Sequence, residues 1–438
     1  CNGQTKQCKT SSQEIYRMRG YLMKTIRADE YCKFVTDGTH DSPKQVDRGR
    51  KLITSKHLGR YGIDFENAKN ISESDYQKVV SRSKVEQWDI LFSMIGTIGN
   101  LYLERNHKIE YACKNMGIFQ LGGDESKAKW LYYYLQTPKA KEYIETSGRG
   151  TTQSYVPLAA LRALPVDVVD DFTRDKIIKI LWDIDEKILT NQQVNENLEQ
   201  QAQAVFKSWF EDFTPFDEPI VETPVGTLAP PSLKMVQIAN IPHILETGKR
   251  PKGGAVTSGI PSIGAENVKQ LGAVNFSSAK FIPEEFATKM KTGAINGYEL
   301  LLYKDGGKPG TFIPHFSMFG EGFPYQKFFI NEHVFKLDFG DRGFNEFAYF
   351  FMQTDYAYHW LANNGGKAAV PGINQQNVND IWIFSPENSK VKEFGEWVQP
   401  LFTTILKNCA QNVKLAELRD ALLPRLMSGK IDVSKLNL

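Results

Sequence analysis

Two long, polar, Gln/Asn/Glu-bearing segments, one central and one terminal, constrain this chain more than any other feature. In the central one, the row Ile177, Leu181, Ile184, Ile188, Asn191, Asn195, Leu198, Ala202 and Val205 advances by alternating steps of four and three. An offset of 217 carries it onto Phe394, Val398, Leu401, Ile405, Asn408, Asn412, Leu415, Arg419 and Leu422. Alternating steps of this kind are the seam of a coiled coil, in which each helix buries the row against a partner. A polar Asn in such a row costs stability but fixes register by pairing with another Asn. Asparagines interrupt both rows at the same two places, Asn191 and Asn195 against Asn408 and Asn412. The two helices are therefore expected to be each other's partner.

The segments before the helices repeat as well. "DGTHDSPKQVDRGRKLITSKHL" (37–58) parallels "TGKRPKGGAVTSGIPSIGAENV" (247–268), aligning Gly49 with Gly259 and Ile53 with Ile263. "WDILFSMIGTIG" (88–99) parallels "YELLLYKDGGKPG" (298–310), each an apolar strand-like run ending in a Gly-containing turn. Next, an aromatic helix with "WLYYYL" or "FAYFFM" leads to a Gly-rich loop, Gly148 to Gly150 or Gly365 and Gly366. The fold class expected is α+β. Two similar globular domains are separated by two long helices in an antiparallel coiled coil, with an internal pseudo-two-fold repeat. The expected boundaries are a poorly defined N-terminal segment (1–23), a first domain (24–165), a central helical spacer (166–215), a second domain (216–388) and a C-terminal helical spacer (389–438). "CNGQTKQCKTSSQEIYRMRG" has the patternless polar composition of a poorly ordered terminus and is set aside.

Composition narrows the function. The 438 residues, 41% hydrophobic and 24% charged, suit a folded protein of two or three domains. No apolar run is long enough to cross a bilayer and no signal segment opens the chain, so a cytoplasmic location is the default expectation. Cys1, Cys8, Cys32, Cys113 and Cys409 form no C-x-x-C pair, and the seven histidines show no metal-ligand spacing, so no metal is expected. The net charge of +2 hides an excess of seven positive charges over residues 1–160 and of five negative ones over 161–215. The first stretch suits a phosphate backbone and the second does not. The chain has no G-x-x-x-x-G-K-[ST] loop and no Asn/Asp-Pro-Pro-aromatic segment of the type that holds a flipped adenine, so no catalytic residue is assigned.

"NENLEQQAQAVFKSWFEDFTPF", "LRDALLPRLMSGKIDV", "DGTH" and "GIPSIGAENV", together with the doubled layout, resemble the specificity subunit of type I restriction-modification systems. The likeness runs from about Lys24 to Leu438. It implies two target-recognition domains, each reading one half of a split, asymmetric DNA site, with the helices setting the gap. It also implies a chain without catalysis of its own that binds double-stranded DNA and recruits two methyltransferase subunits, which use S-adenosylmethionine to methylate adenine. A larger complex would add two restriction/translocase subunits that use ATP and Mg. A coiled-coil scaffold that holds two proteins without reading DNA is the alternative, and an enzyme with an unrecognised site a more distant one.

DNA reading needs cations to position phosphates and side chains to reach base edges. In the first domain the candidates are Lys44, Arg48, Arg50, Lys51, Lys56 and His57 on basic turns, with Arg149, Thr151, Thr152 and Gln153 on the Gly-rich loop. In the second they are Lys249, Arg250, Lys252, Lys304 and Lys308, with Asn363, Asn364 and Lys367 on the equivalent loop. His40 and Asp41 are expected to order a turn, and the aromatic clusters to be core. Trp209, Phe210 and Phe213 are either a dock for methyltransferase subunits or interior packing.

Overall fold

The computed structural model describes residues 15–18, 21–149, 154–274, 276, 279–306, 308, 310–366, 370–434 and 436. It divides into two units, residues 1–189 with 415–438 and residues 190–414. Each unit therefore contains part of both long helices, Asp171–Phe210 and Ser389–Met427.

In the first unit a four-stranded antiparallel sheet runs in the order Phe34–Asp37, Met116–Gln120, Ile90–Ser93, Leu101–Leu103. Beside it, Arg50–Ile53 pairs antiparallel with Lys69–Ile71 and parallel with Tyr111–Cys113. The second unit repeats both sheets. Its four strands are Ile244–Thr247, Val334–Asp338, Leu300–Tyr303 and Phe316–Ser317. Ile260–Ile263 again pairs antiparallel on one side, with Lys280–Ile282, and parallel on the other, with Phe329–Ile330. Buried central strands, Ile90–Ser93 along its whole length and Leu300–Tyr303 at all but Tyr303, explain the unbroken apolar runs seen in the sequence.

One difference from the sequence reading lies between the aromatic helices and the Gly-rich loops, where each unit inserts a second helix. Glu125–Tyr134 is followed by Pro138–Ser147, and Arg342–Phe351 by Asp355–Gly365. Thr137 and Thr354 divide the pairs. Each hydroxyl accepts the amide three residues on, from Ala140 and Ala357, and so caps a new helix. A second difference is at the start of the chain: Ile15–Met18, within the stretch set aside, is a strand paired with Tyr21–Arg27.

The aromatic helices are interior. Trp130, Tyr133, Phe347 and Phe350 are among the largest fully buried side chains. In the second unit Phe206, Phe347, Phe350 and Phe394 pack ring against ring around the terminal helix.

The two helices meet antiparallel within each unit. In the second, Asn191 Nδ2 donates to Asn412 Oδ1 and Gln411 Oε1, each at 2.8 Å. Asn408 Nδ2 donates to Asn195 Oδ1 at 2.9 Å. In the first, Arg419 Nη1 lies 2.7 Å from Asp185 Oδ1, with both side chains buried. Tyr61 and Tyr133 hydroxyls complete the carboxylate, at 2.7 and 2.8 Å. Burial alone would raise the Asp185 pKa, but Arg60 and Arg419 together hold it below the usual carboxylate range.

A candidate nucleic-acid interface

In both units the Gly-rich loop leaves the fold beside the turn that follows the buried central strand. In the first, Arg149 and Tyr155 exchange backbone hydrogen bonds of 2.9 and 2.8 Å at the mouth of the loop, and Tyr155 also bridges to Ile95. Val156 N donates to Met94 O at 3.0 Å, so the Ile95–Gly99 turn and the loop share one end of the sheet. In the second, Gly306 N donates to Pro371 O, Ile373 N to Lys304 O and Gly372 N to Gly365 O, at 2.8 to 2.9 Å. Gly306 and Gly310 in this turn have φ of +133° and +80°, which side-chain-bearing residues seldom adopt. Thr151, Thr152, Gln153 and Lys367 lie outside the described residues.

The basic turns sit on the three-stranded sheets. The 43–49 loop of the first unit is tied to the Lys69–Ile71 strand by Lys69 Nζ to Pro43 O, at 2.7 Å, and Val46 N to Asn70 O, at 3.1 Å. Gly49 lies so close to Ile71 O that an added Cβ would stand 2.1 Å from it, which is why glycine occupies this end of the loop. The His40 ring bridges Asp37 and Asn115, each at 2.9 Å, so it fastens its turn.

The candidate cations separate into two classes. Lys44, Arg48, Lys56 and Arg149, and likewise Lys249, Lys252 and Lys308, are exposed and have no ion pair among the described residues. The others are spent within the fold. Arg50 holds Glu73 and Glu110 at 3.0 and 2.6 Å, and Lys51 donates to Ala68 O at 3.0 Å. Arg250 pairs with Glu332 at 2.8 Å and Lys304 with Asp305 at 2.6 Å. Asn364 donates to Trp360 O at 2.9 Å, one turn back in its own helix, and Asn363 is exposed beside it.

Two expectations are corrected. His57 is buried; its Nδ1 accepts the Thr54 amide at 3.0 Å, and burial pushes its pKa down, so it closes a short helical turn and presents no cation to DNA. Phe210 cannot dock a partner, because it is buried against Phe347, Phe384 and Phe394. Trp209 and Phe213 are partly buried against the same core.

Sequence reasoning missed the acidic side of the second unit. His333 bridges Asp305 and Glu332, and those two carboxylates also hold Lys304 and Arg250. Nothing in the local sequence marks them, since residues 305 and 332 meet only through the sheet. It also missed a cleft of about 250 Å³ in the first unit, lined by Arg60, Asn100, Gln136 and Lys141 among others. Among the described residues no group of His, Cys, Asp and Glu could hold a metal, and no helix is long and apolar enough to cross a membrane.

Comparisons with known proteins bear on the whole chain. Residues 44–200 match the type I restriction modification DNA specificity domain. The MjaIX type I restriction enzyme specificity subunit of Methanocaldococcus jannaschii is 25% identical over 391 residues, covering 88% of this chain and 87% of its own. The HindI specificity subunit of Haemophilus influenzae is 23% identical over 414 residues, 80% of this chain and 88% of its own. The crystal structure of a type I restriction-modification S subunit from M. genitalium superimposes with a TM-score of 0.54 at 14% identity, covering 93% of this chain and 96% of that one, and it shares the fold. The doubled α+β units, the helix pair with its matched asparagines and these likenesses agree: residues 44–200 carry a type I restriction modification DNA specificity domain, and most of the chain is similar to the specificity subunits of type I restriction-modification systems.

Proposed function

We propose that each unit reads one half of a split DNA site and that the paired helices fix the gap between the halves. The observation that carries this reading is the repeated construction at one end of each four-stranded sheet. A Gly-rich loop and a Gly-containing turn lie side by side there, with Arg149 on the first unit's loop and Lys308 on the second unit's turn. Backbone can approach phosphate at such glycines, and an arginine can grip a guanine edge with two hydrogen bonds.

The ion pairs explain a division of labour with other subunits. With Arg250 and Lys304 paired, the second unit's candidates reduce to Lys249, Lys252 and Lys308; in this reading the isolated chain binds DNA weakly and closure by methyltransferase subunits supplies the rest. In this reading the chain has no catalytic role. The methyltransferase partners bring S-adenosylmethionine, and restriction partners, where they assemble, bring ATP and Mg.

Co-expression with the methyltransferase encoded beside it, followed by mapping of modified adenines, tests the proposal. A split motif with a constant gap is expected, and Arg149→Ala should relax one half only. A stable complex that modifies no defined motif would instead favour a scaffold that does not read DNA.

A further inference from the structure

The repeat makes a prediction that the chain itself breaks. The offset of 217 carries Asp185 onto Phe402, Ala202 onto Arg419 and Tyr133 onto Phe350, and the offset of 210 carries Tyr61 onto Leu271. In the first unit these places hold a buried Asp–Arg pair completed by two tyrosine hydroxyls. In the second all four are apolar and buried in one core, with the Phe350 and Phe402 rings edge to face at 5.6 Å. Two helices with matching seams have a choice of partners: each can pair with the other, or with a copy of itself from a second chain. The asparagines cannot decide between these. In a self-pair built on the same seam, Asn191 would meet Asn195 of the copy, and Asn408 would meet Asn412, so both polar layers survive.

We infer that Asp185 and Arg419 decide it, rejecting like-with-like pairing between chains. In a self-pair of the central helix, Asp185 would face Ala202 of the copy and lose its Arg419 partner. In a self-pair of the terminal helix, Arg419 would face Phe402 among Leu271 and Phe350, with only Asp420 beside it. A buried charge left without its partner is far more costly than the intact pair is stabilising. The penalty falls hardest on the terminal helix, because Asp185 keeps Tyr61, Tyr133 and Arg60 whereas Arg419 keeps nothing buried. The asparagines set register and the ion pair sets identity, a separation of roles also available to designed coiled coils.

The full chain, carrying a protease site in the exposed Thr223–Thr227 turn between Val221–Glu222 and Leu228–Ala229, is cut once after folding, unfolded and refolded as a mixture. Native mass spectrometry then counts the species. The expected wild-type result is mixed pairs alone. Asp185→Phe with Arg419→Ala, which puts the second unit's apolar residues at the two helix positions, should give all three pairings in near-statistical proportion. Should the double variant not refold, Arg419→Ala alone should raise terminal self-pairs and leave central ones suppressed. Self-pairs from the wild-type fragments, or mixed pairs alone from the refolded variants, would overturn the inference.

Discussion

The two units share a sheet plan, helix caps and even backbone singularities, yet their interiors use opposite chemistry at matching places. Trp88 and Tyr298 occupy equivalent positions with φ of +68° and +67°, and a cation covers each ring. In the first unit it is Lys129, paired with Glu125 on the preceding turn. In the second it is Arg342, 3.5 Å from the Tyr298 ring and paired with Glu346 on the following turn. The order of charges is reversed and the contact is kept. Position in the fold dictates that a cation must sit over the ring; it does not dictate which residue of the i,i+4 pair supplies it.

The seam shows the same lesson with larger energies. Arg419→Ala would remove the nearer of the two cations on the buried Asp185, Arg60 remaining at 3.5 Å, and should destabilise the first unit by up to about 3–5 kcal/mol, with Asp185→Phe in the same chain recovering part of the loss. Denaturant unfolding followed by probes in each unit would check this. Equal costs for the single and double variants would mean that the polar and apolar layers are not interchangeable.

Next in size is a pH effect from one buried carboxyl of the second unit. Burial pushes Glu346 from an ordinary 4.5 up to about 7, against the pull of Arg342. A carboxyl whose folded pKa is raised binds its proton more tightly when folded, so its contribution is fully present below its ordinary pKa. It is lost as pH rises from that range through about 7, a change of up to ~3 kcal/mol. Glu346→Gln should match the wild type near pH 4 and exceed it at pH 8, read as the shift in denaturation midpoint.

The smallest effects should be equal. Thr137→Ala and Thr354→Ala each remove a helix cap and should cost about 1 kcal/mol in their own unit. A cap that mattered in one unit only would show that the second helices are not equivalent.

The sequence made the repeat and the paired helices legible because both rest on periodic apolar positions and on glycines that recur at closely similar offsets, 210 for Gly49 and Gly259 and 217 for Gly148 and Gly365. Asn191, Asn195, Asn408 and Asn412 stood out as polar residues in an apolar row. Arg419 stood in that row too, at the place that Ala202 holds in the other helix, and its buried role could have been suspected there; its partner Asp185 lies off the row and could not. The interface was legible only as groups of cations. Which were free depended on long-range partners: Arg50 and Arg250 look as available in sequence as Arg48 and Lys252, until Glu110 and Glu332 are brought to them by the sheets. His57 looked like a surface residue because nothing local announces that its ring closes a turn.

The Asp185 cluster also sets terms for recombination. A graft that exchanges residues 24–165 for another recognition domain would leave Asp185 and Arg419 in place while removing Arg60, Tyr61 and Tyr133. A donor domain then has to arrive with hydroxyls or a cation at those positions, or the helices must be edited with it. Modularity in this chain is bounded by three side chains that belong to the exchanged part and serve the part that stays.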